Sequence, residues 1–251
     1  MKAYSILTMN ILSDHVYPFG IMSFSNRLPA ILKMIQEYDP DILCFQEFTE
    51  RMSEVSSYLE KSYEQVGSYR RSLSSDEAIM IFAKKSLFQI TSVKTIWLSN
   101  TPNQPGSKFL LSQFPRIAVI ATLKTKENQT LSVVSTHLDS NFEFIRFKQM
   151  KVLLHHIPSG PTILCGDFNT TINSKVFQLF SKEWNSQTIP ESTLRGKFGS
   201  MRYHQQAIDH ILAKDLELIN TTNIKKDYEG RPASDHYPLL SFFQMKSQYL
   251  K

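Results

Sequence analysis

The chain has 251 residues, of which 41% are hydrophobic and 12% aromatic, enough to bury a large core without dividing into two domains. No apolar stretch reaches the roughly 20 residues that a membrane-spanning helix needs, which excludes a protein built on such helices. The formal net charge of +5 is a modest basic excess, and it does not distinguish nucleic acid, a nucleotide or a phosphorylated lipid as a partner. We expect a single domain over residues 1–251, a monomer without an obligate protein partner. Because a core strand already begins at residue 4, we also expect a cytoplasmic location.

Extended and helical segments alternate along the first part of the chain, as judged from the period of its apolar residues. In chain order the pattern predicts a strand at 4–10, a helix at 27–38, a strand at 41–45, a helix near 50–61, strands at 77–83, 87–98, 116–123 and 131–138, and a helix at 142–156. Residues 126–129 have the composition of a turn between the last two strands. We therefore expect that pair of strands to be antiparallel.

The last part of the chain continues the same alternation without a repeat, a low-complexity segment or a linker. It predicts a strand at 162–166, a short helical segment at 174–184, and strands at 207–214, 216–224 and 237–245. Cys44 and Cys165 lie inside apolar strand-like runs, which indicates buried, reduced thiols rather than a disulfide or a zinc pair. We expect each half of the chain to form one strand-rich sheet with flanking helices, and the two sheets to stack as an α/β sandwich.

Six short polar clusters stand where these apolar runs end. They are Asn10, Gln46-Glu47, His137, Asp167 with Asn169, Asp209, and Asp235-His236. Carboxylates, amides and imidazoles that recur where buried strands end can converge on one rim of a sheet. Such a set of groups is suited to holding a hard divalent cation and hydrolysing phosphate esters.

Each cluster taken alone also has a simpler interpretation. Asp167 and Asn169 are two residues apart, so both side chains would share a face if the segment leaves its strand in extended form. An isolated Asp-x-Asn is more often a turn or a helix cap. Asn10 by itself would more often be a turn residue, and Glu47 could begin a helix.

A loop-like stretch before Asp209 carries three of the basic residues, Arg195, Lys197 and Arg202. A basic loop beside a metal site would favour a polyanionic substrate. A solvated surface loop in a mildly basic protein explains the same residues equally well.

Taken in order, the motifs resemble those of the endonuclease/exonuclease/phosphatase superfamily. They are Asn10, QE at 46–47, THLD at 136–139, GDFN at 166–169, IDHI at 208–211 and SDHYPL at 234–239. Any one of them is weak evidence, but six in one order over nearly the whole chain are specific. The resemblance implies a four-layer α/β sandwich, in which two mixed β-sheets pack face to face with helices on the outside.

The resemblance also implies roles for ten residues. Catalytic groups would be His137, Asp167, Asn169, Asp209 and His236; groups near the substrate phosphate would be Asn10, Arg116 and Glu77; metal ligands would be Glu47 and Asp235. Asp167 would orient the attacking water, and a protonated His236 would stabilise charge on the pentacovalent phosphate. Glu77 would pair with His137 and raise the pKa of that imidazole. The implied cofactor is Mg²⁺, for which Mn²⁺ can substitute.

These expectations describe a Mg²⁺-dependent phosphoesterase that attacks a phosphodiester with activated water, with DNA or RNA as the preferred substrate. One alternative is a phosphatase or phosphodiesterase acting on a small phosphorylated metabolite or a phospholipid head group. Another, from a different class, is a binding protein that has lost catalysis. Leu12 stands where exonuclease-III-like members carry an Asp, which separates the chain from the abasic-site endonucleases.

Overall fold

A computed structural model describes residues 2–71, 76–187, 191–195 and 206–246. Within these ranges the chain forms twelve strands, three α-helices and two short 3₁₀-helices. The strands are β1 (Ala3–Asn10), β2 (Ile42–Phe48), β3 (Tyr63–Tyr69), β4 (Ala78–Lys84), β5 (Phe88–Trp97), β6 (Ile117–Thr125), β7 (Thr130–His137), β8 (Thr162–Asp167), β9 (Trp184–Ser186), β10 (Asp209–Lys214), β11 (Leu216–Asn223) and β12 (Leu239–Met245). The α-helices are α1 (Phe24–Tyr38), α2 (Ser53–Leu59) and α3 (Glu143–His156), and the 3₁₀-helices are Glu50–Met52 and Phe177–Leu179.

The strands form two mixed six-stranded sheets, which we call sheet A and sheet B. The strand order is β11-β12-β1-β2-β4-β3 in sheet A and β5-β6-β7-β8-β10-β9 in sheet B. The central pair of each sheet is parallel, β1 with β2 in sheet A and β7 with β8 in sheet B, and the other pairs are antiparallel. A parallel pair needs a long crossover connection, which α1 and α3 provide.

Three hydrophobic clusters fill the spaces between the layers. The largest lies between the two sheets, where it includes Ile6 of sheet A and Val133 of sheet B as well as both cysteines, which are free thiols. Helices α1 and α2 pack on the outer face of sheet A through Ile31 and Val55. Helix α3 packs on the outer face of sheet B through Met150. The layers therefore confirm the predicted four-layer α/β sandwich of two mixed sheets with helices outside.

The topology explains why polar residues far apart in sequence meet at one edge, which we call the polar rim. The parallel strands β1, β2, β7 and β8 all end there, so Asn10, His137 and Asp167 lie close together. Strand β10 runs the other way and begins at the rim, with Asp209 directly opposite Asp167. Strand β12 also begins near the rim, just after His236. Neighbouring strands thus deliver their polar ends to the same place.

Several details of the predicted organisation were wrong. The two halves of the chain do not each form one sheet, because β11 and β12 return to sheet A beside β1. The short helical segment predicted at 174–184 is shorter than expected, a 3₁₀-helix at Phe177–Leu179, and β9 already begins at Trp184. Strand β3 was not predicted. The antiparallel pair of β6 and β7 and its turn are confirmed. In the described part of the chain, no helix is long and apolar enough to span a membrane.

Gly166 lets β7 approach β8 closely just before Asp167. Its φ is +134°, and a Cβ atom there would lie 2.0 Å from the carbonyl oxygen of Thr136. Gly166→Ala should lower the free energy of unfolding by about 2–4 kcal/mol, because the strained backbone and the clash both oppose the methyl group. Gly230→Ala, at φ +72° with nothing within 4 Å, is the matched control and should cost only about 1 kcal/mol. Equal losses in urea unfolding would contradict this account.

Candidate active site

Asp167 stands at the centre of the polar rim, 2% exposed at the end of β8. Its Oδ1 accepts the backbone N–H of Asn169 at 2.9 Å. Its Oδ2 faces three side-chain nitrogens: Nδ2 of Asn10 at 3.2 Å, Nε2 of His137 at 3.4 Å and Nε2 of His236 at 3.9 Å. Burial raises the pKa of Asp167 to about 7. A carboxylate in this environment can accept a proton near neutral pH.

Asp209 and His236 form a buried pair beside Asp167. Nδ1 of His236 lies 2.8 Å from Oδ2 of Asp209. Burial alone would lower the pKa of His236, but the Asp209 and Asp167 carboxylates raise it well above its usual value. His236 is therefore protonated, with Nδ1–H directed to Asp209 and Nε2–H directed into the site. Ser234 supports it, since its hydroxyl accepts the N–H of His236 at 3.2 Å and donates to the carbonyl of Asn10 at 2.6 Å.

Glu47 reaches the rim through a β-bulge at the end of β2. The register between β2 and β4 shifts between Phe45 and Phe48, and Glu47 has a left-handed φ of +59°. This conformation is costly for a residue with a Cβ atom, and bulges of this kind redirect side chains near functional sites. The carboxylate is held by two donors, Nδ2 of Asn10 to Oε1 at 2.8 Å and the N–H of Ser13 to Oε2 at 2.9 Å.

A cavity of about 10 Å³, room for about one water molecule, lies among Glu47, Glu77, Arg116 and His137. Arg116 is buried, and its Nε has no hydrogen-bond partner among the described residues. Burial lowers the pKa of Arg116, although the guanidinium stays charged. Burial, the Arg116 charge and the nearby His236 lower the pKa of His137 well below its usual value, so this imidazole is neutral.

The expected pair between Glu77 and His137 is not formed. Oε2 of Glu77 instead accepts a hydrogen bond from Arg70 at 2.6 Å. The pKa of His137 falls rather than rises, because burial and neighbouring cations outweigh any carboxylate. Glu77 still lines the cavity together with Glu47 and His137, and its hydrogen-bond partner there is Arg70.

Asn169 does not continue the strand in extended form, so the condition for Asp167 and Asn169 to share a face is not met. The segment forms the turn that an Asp-x-Asn sequence also indicates. The φ of Asn169 is +52°, and its N–H closes a turn onto the Asp167 carboxylate. Its Nδ2 donates to the carbonyl of Leu138 at 3.0 Å, which ties the end of β8 to the segment after β7. Asn169 therefore fixes the orientation of Asp167.

Arg27 is a supporting residue that the sequence analysis missed. It is fully buried, and its guanidinium donates to the backbone carbonyls of Ile11, Leu12, Met22 and Ala233. It thereby ties the segment after β1 to the segment before β12, and burial lowers its pKa to about 10. The sequence did indicate that Arg27 is buried, since helical spacing places it among the apolar residues on the inner face of α1.

Arg70 is the second residue that was missed. Besides Glu77, its guanidinium binds Asp76 at 2.6 Å and lies 4.3 Å from the ring centroid of Phe114. The indole of Trp97 donates to its carbonyl at 2.7 Å. Arg70 also lines the small cavity, so two guanidinium groups flank His137 there. Nothing in the sequence around Arg70 marks it.

The donor groups of the rim fit a hard divalent cation. Two groups of side chains each bring three potential ligand atoms within 4.8 Å of one another: Glu47, Glu77 and His137, and Asp167, Asp209 and His236. Burial and the Glu47 charge raise the pKa of Glu77 to about 7, and the same two causes raise the pKa of Asp235. A bound cation would oppose both increases, because added positive charge favours the ionised carboxylates. Asp235, the second predicted ligand, belongs to neither group.

His210 follows Asp209 in β10 and is buried as a neutral imidazole. Its Nε2 donates to the carbonyl of Thr170 at 2.7 Å, and its ring packs on Phe168 and Phe177. Burial lowers the pKa of His210 to about 4. The unfolded chain, with a pKa of about 6.5, takes up this proton first. Stability should therefore fall as the pH drops from about 6.5 towards 4, by about 2 kcal/mol at about pH 5.

The variant His210→Gln isolates this contribution. Urea unfolding of both proteins at about pH 7.5 and about pH 5 gives two differences in the free energy of unfolding. The wild-type difference should be larger by about 2 kcal/mol, since the variant has no proton to take up at this position. The same pH dependence in both proteins would contradict the burial of a neutral His210.

The basic loop is only partly described. The backbone N–H of Arg195 donates to the carbonyl of Asp235 at 2.9 Å, and its guanidinium pairs with Asp227. The charge of Arg195 is therefore already partnered. Lys197 and Arg202 lie outside the described residues.

The two six-stranded sheets form the sandwich that the sequence motifs predicted, and the rim at its edge carries carboxylates, imidazoles and an arginine. A sequence model of the Endonuclease/Exonuclease/phosphatase family matches residues 7–236, and the chain belongs to this family. Enzymes of the family depend on divalent metal ions. The resemblance stated from the sequence motifs is thus confirmed.

Among curated relatives, human protein angel homolog 2 is 27% identical over 80% of this chain and 40% of its own length. The CCR4-Not complex 3′-5′-exoribonuclease subunit Ccr4 of Kluyveromyces lactis is 24% identical over 72% of this chain and 28% of its own length. The chain therefore spans less than half the length of each of these two relatives.

Solved structures share the fold. A functionally unknown conserved protein from Enterococcus faecalis superposes with a TM-score of 0.86 at 25% identity, covering 96% of this chain and 100% of that one. The crystal structure of ANGEL2, a 2′,3′-cyclic phosphatase, in complex with adenosine-2′,3′-vanadate superposes with a TM-score of 0.73 at 19% identity, covering 96% of this chain and 95% of that one.

Proposed function

We propose that this chain hydrolyses phosphodiester bonds with activated water, and that it acts as a nuclease on DNA or RNA. The observation that carries the proposal is the ring of Asn10, His137 and His236 around Oδ2 of Asp167. The addition of water to a phosphate requires a base for the water and donors for the developing negative charge. Both kinds of group lie together around Oδ2 of Asp167.

Asp167 is the proposed general base. The amide of Asn169 holds its Oδ1, so Oδ2 has a fixed position from which to take a proton from the attacking water. His236 donates its Nε2–H to a phosphoryl oxygen as negative charge develops there. Asp209 keeps that imidazole oriented and protonated.

Arg116 and His137 are proposed to bind the phosphate from the side of the small cavity. A planar guanidinium can donate to two phosphate oxygens at once, and the Nε of Arg116 has no partner among the described residues. Glu77 accepts a hydrogen bond from Arg70, which holds the Arg70 guanidinium at the same cavity as Arg116 and His137. Asn10 connects the proposed base, Asp167, to the proposed metal ligand, Glu47, since its Nδ2 donates to both carboxylates.

Glu47 is the proposed main ligand of the divalent cation, with Asp235 as the second. The oxygen-rich donor set suits Mg²⁺, and Mn²⁺ accepts the same ligands. Both carboxylate oxygens of Glu47 already accept one N–H, and each retains a lone pair for a cation. When bound, the ion polarises the phosphoryl oxygen and the leaving group.

Nucleic acid is the best supported substrate. The Ccr4 relative is an exoribonuclease subunit, and the modest basic excess of +5 is compatible with a polyanion without selecting one. A phosphatase acting on a small or cyclic phosphate is the second candidate, which the likeness to ANGEL2 favours. An inactive binding protein is disfavoured, because the rim keeps a base, a protonated imidazole and a ligand in hydrogen-bonded contact.

The proposal is tested by hydrolysis assays with the purified chain. Labelled single- and double-stranded DNA and RNA, a 2′,3′-cyclic nucleotide, a nucleotide monoester and a phospholipid are each incubated with Mg²⁺ or with EDTA. Cleavage of a polynucleotide only in the presence of Mg²⁺ is the expected result. Turnover of the small or lipid substrates alone would replace the proposed substrate, and no turnover of any substrate would overturn the proposed activity.

Metal binding itself predicts a change in thermal stability. At a free Mg²⁺ concentration of about 100 Kd, binding adds about 2.7 kcal/mol, which raises the melting temperature of a chain of this size by about 5–10 °C. Glu47→Gln should lose most of this rise, because a neutral amide is a weaker ligand for a hard cation. The matched control is Glu37→Gln on the surface of α1, which should keep it. A similar Mg²⁺-induced rise in both variants would remove Glu47 from the metal site.

A further inference from the structure

A row of aromatic and basic side chains runs along the exposed face of α3. Phe144, Lys148, Lys151 and His155 follow one another at spacings of four, three and four residues, so they share one face of the helix. All four are exposed, and the Phe144 side chain is 47% exposed. We call these four residues the α3 row.

A pocket of about 490 Å³ opens beside the α3 row. Its other wall is the loop after β5, which contributes Asn100, Pro102 and the buried Phe109. The ammonium of Lys148 lies 5.8 Å from the ring centroid of Phe109 and 5.9 Å from that of Phe144, within reach of both aromatic faces. None of the described residues lining the pocket is acidic. The site therefore combines apolar rings with uncompensated positive charge.

The α3 row begins next to the active site. Asp139, two residues beyond His137, fixes the start of α3, because its Oδ1 accepts the N–H groups of Asn141 at 2.9 Å and Phe142 at 3.1 Å. Phe142 is 44% exposed, and its ring centroid lies 5.5 Å from that of Phe144. The two exposed rings thus lie between the polar rim and the basic part of the row.

We propose that the α3 row binds a single-stranded segment of the nucleic acid whose scissile phosphate lies at the polar rim. Exposed aromatic rings give bases a surface on which to stack, and lysines beside them neutralise the phosphates. Phe142 and Phe144 belong to none of the three hydrophobic clusters and expose apolar surface to water, which a binding role explains. This inference deepens the proposed nuclease function and rests on it.

The test measures the affinity of the full chain carrying Asp167→Asn for a labelled single-stranded RNA of about 12 nucleotides, a length within the site sizes of such proteins. Adding Lys148→Glu and Lys151→Glu together should weaken binding about tenfold or more. It should also reduce the slope of log Kd against log salt by about 1.4, for two lost phosphate contacts. Phe144→Ala should weaken binding about fivefold or more through lost stacking.

The matched control reverses two exposed lysines elsewhere on sheet B, Lys94→Glu with Lys124→Glu, which changes the net charge equally. This control should keep the RNA affinity. Equal losses in the two double variants, or no loss in either, would overturn the proposal. The proposal would also be overturned if inorganic phosphate or a mononucleotide displaced the RNA at concentrations close to the Kd of the RNA. The site would then bind a small anion and not a strand.

A small diester separates this inference from the proposed function. With Asp167 intact, Lys148→Glu/Lys151→Glu should hydrolyse bis(p-nitrophenyl) phosphate at the wild-type rate, since this substrate is too short to reach the row. A parallel loss of that activity would assign the lysines to the active site and overturn the inference. Failure of the wild type to hydrolyse any diester counts against the proposed function, and the RNA affinities still decide the role of the row.

Discussion

Asp167→Asn should lower kcat by about 10³-fold or more for any phosphodiester that the wild-type chain cleaves, because an amide cannot take a proton from the attacking water. The side chain keeps its shape, and its carbonyl oxygen can still accept the N–H of Asn169. The substitution removes a buried charge but places an amide nitrogen opposite Nδ2 of Asn10, so the melting temperature should change little and the fold should stay intact. The measurements are kcat and KM at saturating Mg²⁺, with thermal unfolding of the same samples.

Asp41→Asn is the matched control for this substitution. Asp41 lies at the opposite end of β2, where its carboxylate accepts the N–H of Ser5 at 2.9 Å and contacts Lys84 at 3.2 Å. The same chemical change there should leave kcat unaltered. If Asp167→Asn retained wild-type turnover with an intact fold, Asp167 would not be the base.

Asp209→Asn has the second largest expected effect, a loss of about 10²–10⁴-fold in kcat with little change in KM. An asparagine there removes the charge that keeps His236 protonated and changes the group that its Nδ1–H binds. In other hydrolases an Asp→Asn change behind a catalytic histidine costs about 10⁴-fold. Steady-state kinetics on the best substrate of the hydrolysis assays measures the loss.

A double-mutant cycle distinguishes a positioning role from an independent one. If Asp209 acts through His236, the double variant Asp209→Asn/His236→Gln should be about as slow as His236→Gln alone. Losses that multiply would indicate that Asp209 acts on the substrate or the metal directly.

The strands that build the rim were predictable because their apolar runs are short, nearly continuous and end in chemically distinctive residues. The central strands β1, β2, β7 and β8 are buried on both faces, so their sequences show little alternation and stop abruptly at polar groups. When several buried strands end in polar residues in a fixed order along the chain, those residues are predicted to lie at the same edge of the sheets. The peripheral β3 has a mixed pattern of burial along its length, which explains why it was missed.

The parts of the site that depend on backbone conformation could not be predicted. Leu12, Glu47 and Asn169 all have left-handed φ angles, which are uncommon for residues with a Cβ atom. No rule of strand alternation yields the bulge that turns Glu47 to the rim. Arg70 contacts Asp76 and Glu77, which precede the neighbouring strand β4, and Phe114, which precedes β6. No spacing rule marks these contacts in the sequence.

The pairing of β1 with β12 joins the first and the last strand of the described chain. Near this strand pair, the hydroxyl of Ser234 donates a hydrogen bond to the carbonyl of Asn10, a residue 224 positions earlier in the sequence. Non-local pairings of this kind form late, and a chain emerging from the ribosome presents its N-terminal strands first. A nascent chain therefore lacks His236 until synthesis has passed β11. If RNA is the substrate, hydrolytic competence appears only after His236 has been synthesised, so a shorter nascent chain cannot cut the message that encodes it.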